Sequence, residues 1–150
     1  MRVLGVDFGQ RRIGLALSDD TALLARPWRS VSAGTTPAES ASVVAALVAG
    51  ADPDEAGSVG AIVVGLPRRL NGEDTDQTQP ARAFAEALRA RTGLAVALQD
   101  ERLSSHEADA RLAVGERDWR RRKAQLDAAA AAVILQDYLD ARRRSTGAAE

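Results

Sequence analysis

The sequence predicts a mixed α/β sheet with helices on its faces. Three observations carry that reading. Two short apolar runs near the start, Val3-Leu4-Gly5-Val6 and Ile13-Gly14-Leu15-Ala16-Leu17, flank a polar turn and read as paired strands. Later apolar runs alternate with helical patterns, which places helices against a sheet. One of these runs, Ala61-Ile62-Val63-Val64-Gly65, is continuous and lies between glycines, as expected of a central strand covered on both faces.

The first hairpin spans Arg2 to Asp19. Its turn, Asp7-Phe8-Gly9-Gln10-Arg11-Arg12, holds a glycine that permits a positive φ in the reversal. Trp28-Arg29-Ser30-Val31 follows Pro27 as a third strand and completes an antiparallel meander. A helix then opens with Thr36 as cap, Pro37 in the first helical position and Glu39 closing a capping box. Val43, Val44, Leu47 and Val48 share its apolar side, and it ends near Gly50. Asp52 to Gly57 reads as a loop. Leu66-Pro67 should stop the central strand, leaving Arg68 to Gln77 as a polar loop. The next helix runs from about Thr78 to Arg91, with Ala81, Phe84, Ala85 and Leu88 on one stripe, and Gly93 ends it. Ala95-Val96-Ala97-Leu98-Gln99 is the last strand and leads into Asp100-Glu101-Arg102. Ser104 to Glu107 is a second capping box, opening a short helix to about Val114. Gly115 to Arg122 is a polar link carrying Trp119, and a long helix follows from about Lys123 to Arg143. With no repeat or internal linker, residues 1–144 read as one domain and 145–150 as a flexible tail.

A chain of 150 residues suits one domain with a sizeable core. Aromatic residues make up only 3%, so that core must be built from Ala, Val, Leu and Ile. The absence of cysteine excludes disulfides, thiolate zinc sites and cysteine nucleophiles. Strand-like sequence begins at Arg2, so no signal peptide is expected. The best apolar run, Ala128–Leu135, is far short of the ~20 residues that span a bilayer. No membrane association and a cytoplasmic location are therefore expected. A net charge of -1 gives no general attraction to nucleic acid. Charge is instead clustered, at Arg11-Arg12, Arg68-Arg69, Arg120-Arg121-Arg122-Lys123 and Arg142-Arg143-Arg144. Arginine forks match phosphate oxygens better than lysine does, although codon usage produces the same bias.

Three carboxylates stand out by position. Asp7 ends the first strand, Glu101 follows the last, and Asp127 lies early in the final helix. At about 100° per residue Asp127 shares a stripe with Ala131, Ile134 and Tyr138, whereas Asp137 and Asp140 fall off it. An acid on a sheet-facing stripe is costly unless a cation meets it. Two of them have a plainer reading: Asp7 as a turn aspartate bonding its own backbone, Asp127 as a first-turn acid favouring the helix dipole. If they converge, oxygen-only ligands without cysteine favour Mg²⁺ or Mn²⁺ over zinc. Two such ions activate a water and stabilise the leaving oxygen of a phosphodiester. His106 could act as a base or bind phosphate, or simply sit in the first turn of a capped helix. Ser104 and Ser105 have no evident base for a nucleophilic triad.

VDFGQRRIGLALSD, VVGLPRRLNG, QDERLSSHEA and LDAAAAAVILQDYL resemble, in order, the successive motifs of the pre-16S ribosomal RNA nuclease family, also called YqgF or RuvX-type Holliday junction resolvases. The resemblance covers nearly the whole chain. It implies a ribonuclease-H-like fold, with Asp7, Glu101 and Asp127 at three acidic active-site positions. The Arg11-Arg12 turn, the Pro67-Arg68-Arg69 loop and Arg102 correspond to segments beside that site. The resulting expectation is a Mg²⁺- or Mn²⁺-dependent endonuclease acting on structured nucleic acid, either precursor ribosomal RNA or four-way DNA junctions. Its carboxylates should lie within reach of one or two hydrated ions. Arg11, Arg12, Arg68, Arg69, Arg102 and the Arg120, Arg121, Arg122, Lys123 cluster would contact phosphates, the last cluster reading equally as solvated charge. A homodimer is expected if junctions are cut symmetrically. Two alternatives remain: a noncatalytic nucleic-acid-binding or ribosome assembly factor, and an actin-like phosphotransferase, whose first hairpin also resembles an Asp-x-Gly turn beside phosphate. The second needs two such domains, and this chain has room for one.

Overall fold

In this computed structural model, which describes residues 1–50, 59–102 and 119–148, the strands are β1 (Arg2–Phe8), β2 (Arg12–Ser18), β3 (Ala25–Ser32), β4 (Val59–Arg68) and β5 (Ala95–Arg102). They form one sheet in the order β3-β2-β1-β4-β5. β1, β2 and β3 make the antiparallel meander. β4 is parallel to β1, and β5 is parallel to β4. The helices are α1 (Pro37–Gly50), α2 (Thr78–Thr92) and α3 (Trp119–Ala148). A meander extended by two parallel strands, with helices on both faces, is the ribonuclease-H-like arrangement.

Alternation along the strands builds two cores. Leu4, Val6, Ile13, Leu15, Leu17, Ile62, Val64 and Val96 pack with Val44 of α1 and Phe84, Ala85 and Leu88 of α2. Val3, Ala16 and Val63 face the other way, onto Ala131, Ile134, Leu135 and Leu139 of α3. Each fully buried Leu or Ile stabilises the fold by about 1.5–3 kcal/mol. The α2 stripe of Ala81, Phe84, Ala85 and Leu88 is buried as its spacing predicts. Gly93 caps that helix at φ 70°, its N–H donating to the Arg89 carbonyl.

Several boundaries differ from the sequence reading, each for a local reason. β3 begins at Ala25, not Trp28. The Ala25 N–H donates to Gln136 Oε1 of α3 at 2.8 Å, a partner that no local pattern reveals. Pro27 sits inside this strand at a register shift, which an edge strand tolerates. β4 does not stop at Leu66-Pro67 but continues to Arg68, paired with β5. Its last pair with β1 is Val6 with Val64, so Pro67 falls where β4 has lost one neighbour. Gly9 does not adopt a positive φ. It is needed for space, since a Cβ there would come 2.6 Å from the Arg12 carbonyl oxygen. In α1, Thr36 Oγ1 accepts from the Glu39 N–H at 3.1 Å, but the Glu39 carboxylate reaches back to Thr35 rather than Thr36. Val44 is buried while Val43 is exposed, so the apolar side is narrower than the valine run implied. α3 starts at Trp119, not Lys123, and passes Arg143 and Ser145 to reach Ala148. The Asp52–Gly57 loop, the Ser104–Glu107 box and the helix to Val114, with His106, lie outside the described residues. No helix among the described residues is long and apolar enough to cross a membrane.

The β2–β3 connection is held by Asp19. Its carboxylate accepts from the Thr21 hydroxyl at 2.6 Å and from the Leu23 and Leu24 N–H groups at 2.8 and 3.2 Å. The Thr21 bond first, then the Leu23 bond, holds this carboxyl below the usual carboxylate range. A depressed folded-state value contributes stability that is present above the ordinary aspartate range and lost as pH falls through the lowered value. Asp19→Ala should therefore melt below wild type at neutral pH, with the gap closing as pH falls below the ordinary aspartate range. A gap independent of pH in paired thermal melts would contradict this.

Candidate active site

Asp7 lies on the α3 face of β1, in step with Val3 and Gly5. On β5, Val96 enters the opposite core, so Glu101 turns to the α3 face as well. The third acid is set by a glycine. A Cβ on Gly14 would lie 2.0 Å from the Asp127 carbonyl oxygen, so the α3 backbone rests directly on β2 there. Gly14 is the register partner of Asp7, which brings Asp127 to the strand end where Asp7 sits. Gly65 does the same for Glu101. A Cβ at Gly65 would meet Ile134 Cδ1 at 2.7 Å and Glu101 Oε2 at 3.1 Å. Gly5 completes the seat, against Leu135 Cβ at 2.7 Å.

Asp7, Glu101 and Asp127, from three separate elements, line one cavity of about 500 Å³ with Arg12, Arg68 and Arg69. Phe8, whose ring stacks on Phe84 with centroids 4.6 Å apart, fixes its floor to α2. An adjoining cavity of about 310 Å³ shares Gly9, Arg12, Gln77 and Asp127 and adds Arg11 and Lys123. Five of the expected phosphate-binding residues, Arg11, Arg12, Arg68, Arg69 and Lys123, thus border the acids. The side chains of Arg102, Arg120, Arg121 and Arg122 lie outside what the structure describes. Arg68 is partly engaged already: its Nε lies 3.6 Å from Asp74 and 3.7 Å from Asp100. Thr75, Asp76 and Gln77 also line the larger cavity and were not singled out from the sequence. They are positioned by Thr78, which bonds the Thr75 N–H at 2.8 Å and the Pro67 carbonyl at 2.5 Å. A polar tripeptide just ahead of a helix start was their only local signal.

The expected convergence is incomplete in one respect. Among the described residues no three acidic or histidine side chains stand close enough to hold an ion together. Asp127 is held by other partners. Its Oδ2 accepts from Arg12 Nε at 2.9 Å and from Ser30 Oγ at 3.4 Å. The two side chains are 33% and 25% exposed. Exposed pairs are worth ~0–1 kcal/mol, and partial exposure keeps this one exchangeable. The donor set itself fits a hard divalent cation, being carboxylate oxygen throughout. A Cβ at Gly65 would crowd the Glu101 carboxylate, so glycine is what lets Glu101 Oε2 lie close against β4.

Fold and cavity together define a ribonuclease-H-like domain with an acid-lined, arginine-rimmed cleft at its strand ends. The chain belongs to the RuvX family, described as Holliday junction resolvase, whose profile matches residues 1–141. A relative from Anaeromyxobacter sp. (strain Fw109-5), described as "Putative pre-16S rRNA nuclease", is 46% identical over 142 residues, covering 95% of this chain and 98% of its own. A Maridesulfovibrio salexigens protein of the same description is 40% identical over 139 residues, covering 93% and 98%. Among solved structures, Thermus thermophilus RuvC in complex with a Holliday junction substrate aligns at TM-score 0.49 and 16% identity, covering 95% of this chain and 96% of that one.

Proposed function

We propose that this chain is a metal-dependent endonuclease that hydrolyses phosphodiester bonds in structured nucleic acid, working in the cytoplasm. One observation carries the reading: acids from β1, β5 and α3 share a cleft with Arg12, Arg68 and Arg69. Acids alone would repel a phosphate backbone; arginines alone would bind without cutting. A bound Mg²⁺ or Mn²⁺ would polarise the scissile phosphate and lower the pKa of a water. Asp7 and Glu101 would hold that cation from rigid strand ends, which preserves their geometry. Arg11, Arg69 and Lys123 would grip flanking phosphates, orienting the chain in the cleft.

The family description and the relatives' names point to two substrates, four-way DNA junctions and precursor ribosomal RNA. Both fit a cleft that reads phosphate geometry. The test is parallel cleavage of a four-way junction and a 5′-extended 16S RNA precursor, with Mg²⁺, with Mn²⁺ and with chelator. Metal-dependent incision of either supports the reading. Binding without incision under every metal condition would replace it with a noncatalytic assembly role. If the junction is the substrate, two symmetric cuts need two active sites, and sedimentation should show a dimer on the junction. A monomer in that complex would favour single-cut RNA processing.

A further inference from the structure

The Arg12–Asp127 pair carries an inference that rests on the nuclease reading. Arg12 opens β2, and Gly14, two residues on and on the same face, lets the α3 backbone touch the strand at Asp127. The two side chains therefore meet by construction, Nε to Oδ2 at 2.9 Å. Ser30, the register partner of Gly14, closes a triangle. Its Oγ lies 3.5 Å from Arg12 Nη2 and 3.4 Å from Asp127 Oδ2. The same Arg12 borders both cavities beside the acids.

A guanidinium that neutralises Asp127 and a cation that requires Asp127 compete for one carboxylate. We propose that Arg12 is a substrate-operated latch. It holds Asp127 out of the cation site until a phosphate of the nucleic acid takes the guanidinium, whereupon Asp127 joins Asp7 and Glu101. The exchange is chemically balanced, because an arginine fork donates to phosphate as readily as to carboxylate. Arg12 is then a positioning residue for Asp127 as well as a phosphate contact. Cation and nucleic acid become linked ligands, each raising the affinity of the other by the same factor. The idle protein carries an incomplete site, and the complete one forms only on substrate.

The test is Mn²⁺ binding, followed by the electron paramagnetic resonance of unbound ion, with the full chain and no nucleic acid. Arg12→Met should bind Mn²⁺ roughly five- to tenfold more tightly than wild type, within the usual range of coupling factors. Ser30→Ala, which keeps both charges, should shift affinity the same way by less. In an Asp127→Asn background, Arg12→Met should gain nothing. A phosphorothioate four-way DNA junction should tighten Mn²⁺ binding to wild type but not to Arg12→Met. An equal gain with and without Asp127 would reduce Arg12 to a remote positive charge and overturn the latch. So would unchanged affinity in both Arg12→Met and Ser30→Ala. In either case loss of Mn²⁺ binding in Asp7→Asn would leave the nuclease reading standing. If Asp7→Asn binds Mn²⁺ as wild type does, the cation is elsewhere and both readings fall.

Discussion

Asp7→Asn should fold normally and cut about a thousandfold more slowly than wild type, a loss of ~4 kcal/mol of transition-state stabilisation. The position supports both halves of that expectation. Asp7 is half-buried at the end of β1, and asparagine has nearly the same shape. The strand is held by Val3, Leu4 and Val6, all fully buried, so the fold does not depend on the charge. On the proposed reading catalysis does, because the substitution would remove a formal charge from the cation's ligand shell at the point where negative charge grows on the phosphate. Binding should suffer less than turnover, because the arginines proposed to meet the phosphates are untouched. Single-turnover cleavage beside direct binding of the same nucleic acid separates the two effects. A folded Asp7→Asn protein that cuts at the wild-type rate would remove Asp7 from the chemistry.

What the sequence disclosed follows the range of the physics involved. A short apolar run bounded by glycines or a polar turn is a local signal, so it placed Asp7 at a strand end and made the Ala61–Gly65 run a core strand. Helical spacing is local, so the buried stripe of α2 could be read residue by residue. Strand ends were read less well. Pro67 looked like a stop because nothing local says that β1 has already ended beside it. The Arg12–Asp127 bond joins residues 115 apart in sequence and depends on how α3 sits over β2. That seating is written in Gly5, Gly14 and Gly65, which locally read only as small residues within apolar runs. The Asp127 stripe was correct in direction, since Ala131 and Ile134 are buried. Its partner was expected to be a metal, and the cation found beside it is an arginine.

Gly14→Ala should damage both stability and activity, and the second more than the first would predict. The new Cβ would fall 2.0 Å from the Asp127 carbonyl oxygen, 2.4 Å from its carbon and 3.1 Å from the Ala128 nitrogen. These are backbone atoms, so no rotamer change relieves the overlap, and α3 must lift or β2 must bend. Overpacking of this kind costs about 1–3 kcal/mol, which for a domain of this size lowers the melting point by roughly 2–12 °C. The displacement required is on the order of 1 Å, centred on the residue proposed to supply a catalytic carboxylate. A shift of that size costs on the order of a hundredfold in rate, even in the fraction that remains folded. Gly50→Ala is the matched control. Nothing lies within 4 Å of its would-be Cβ, it closes α1, and alanine is the better helix former. It should melt at or slightly above the wild-type temperature and cut normally. A Gly14→Ala protein that is as stable and as active as Gly50→Ala would show that α3 does not need backbone contact with β2 to deliver Asp127.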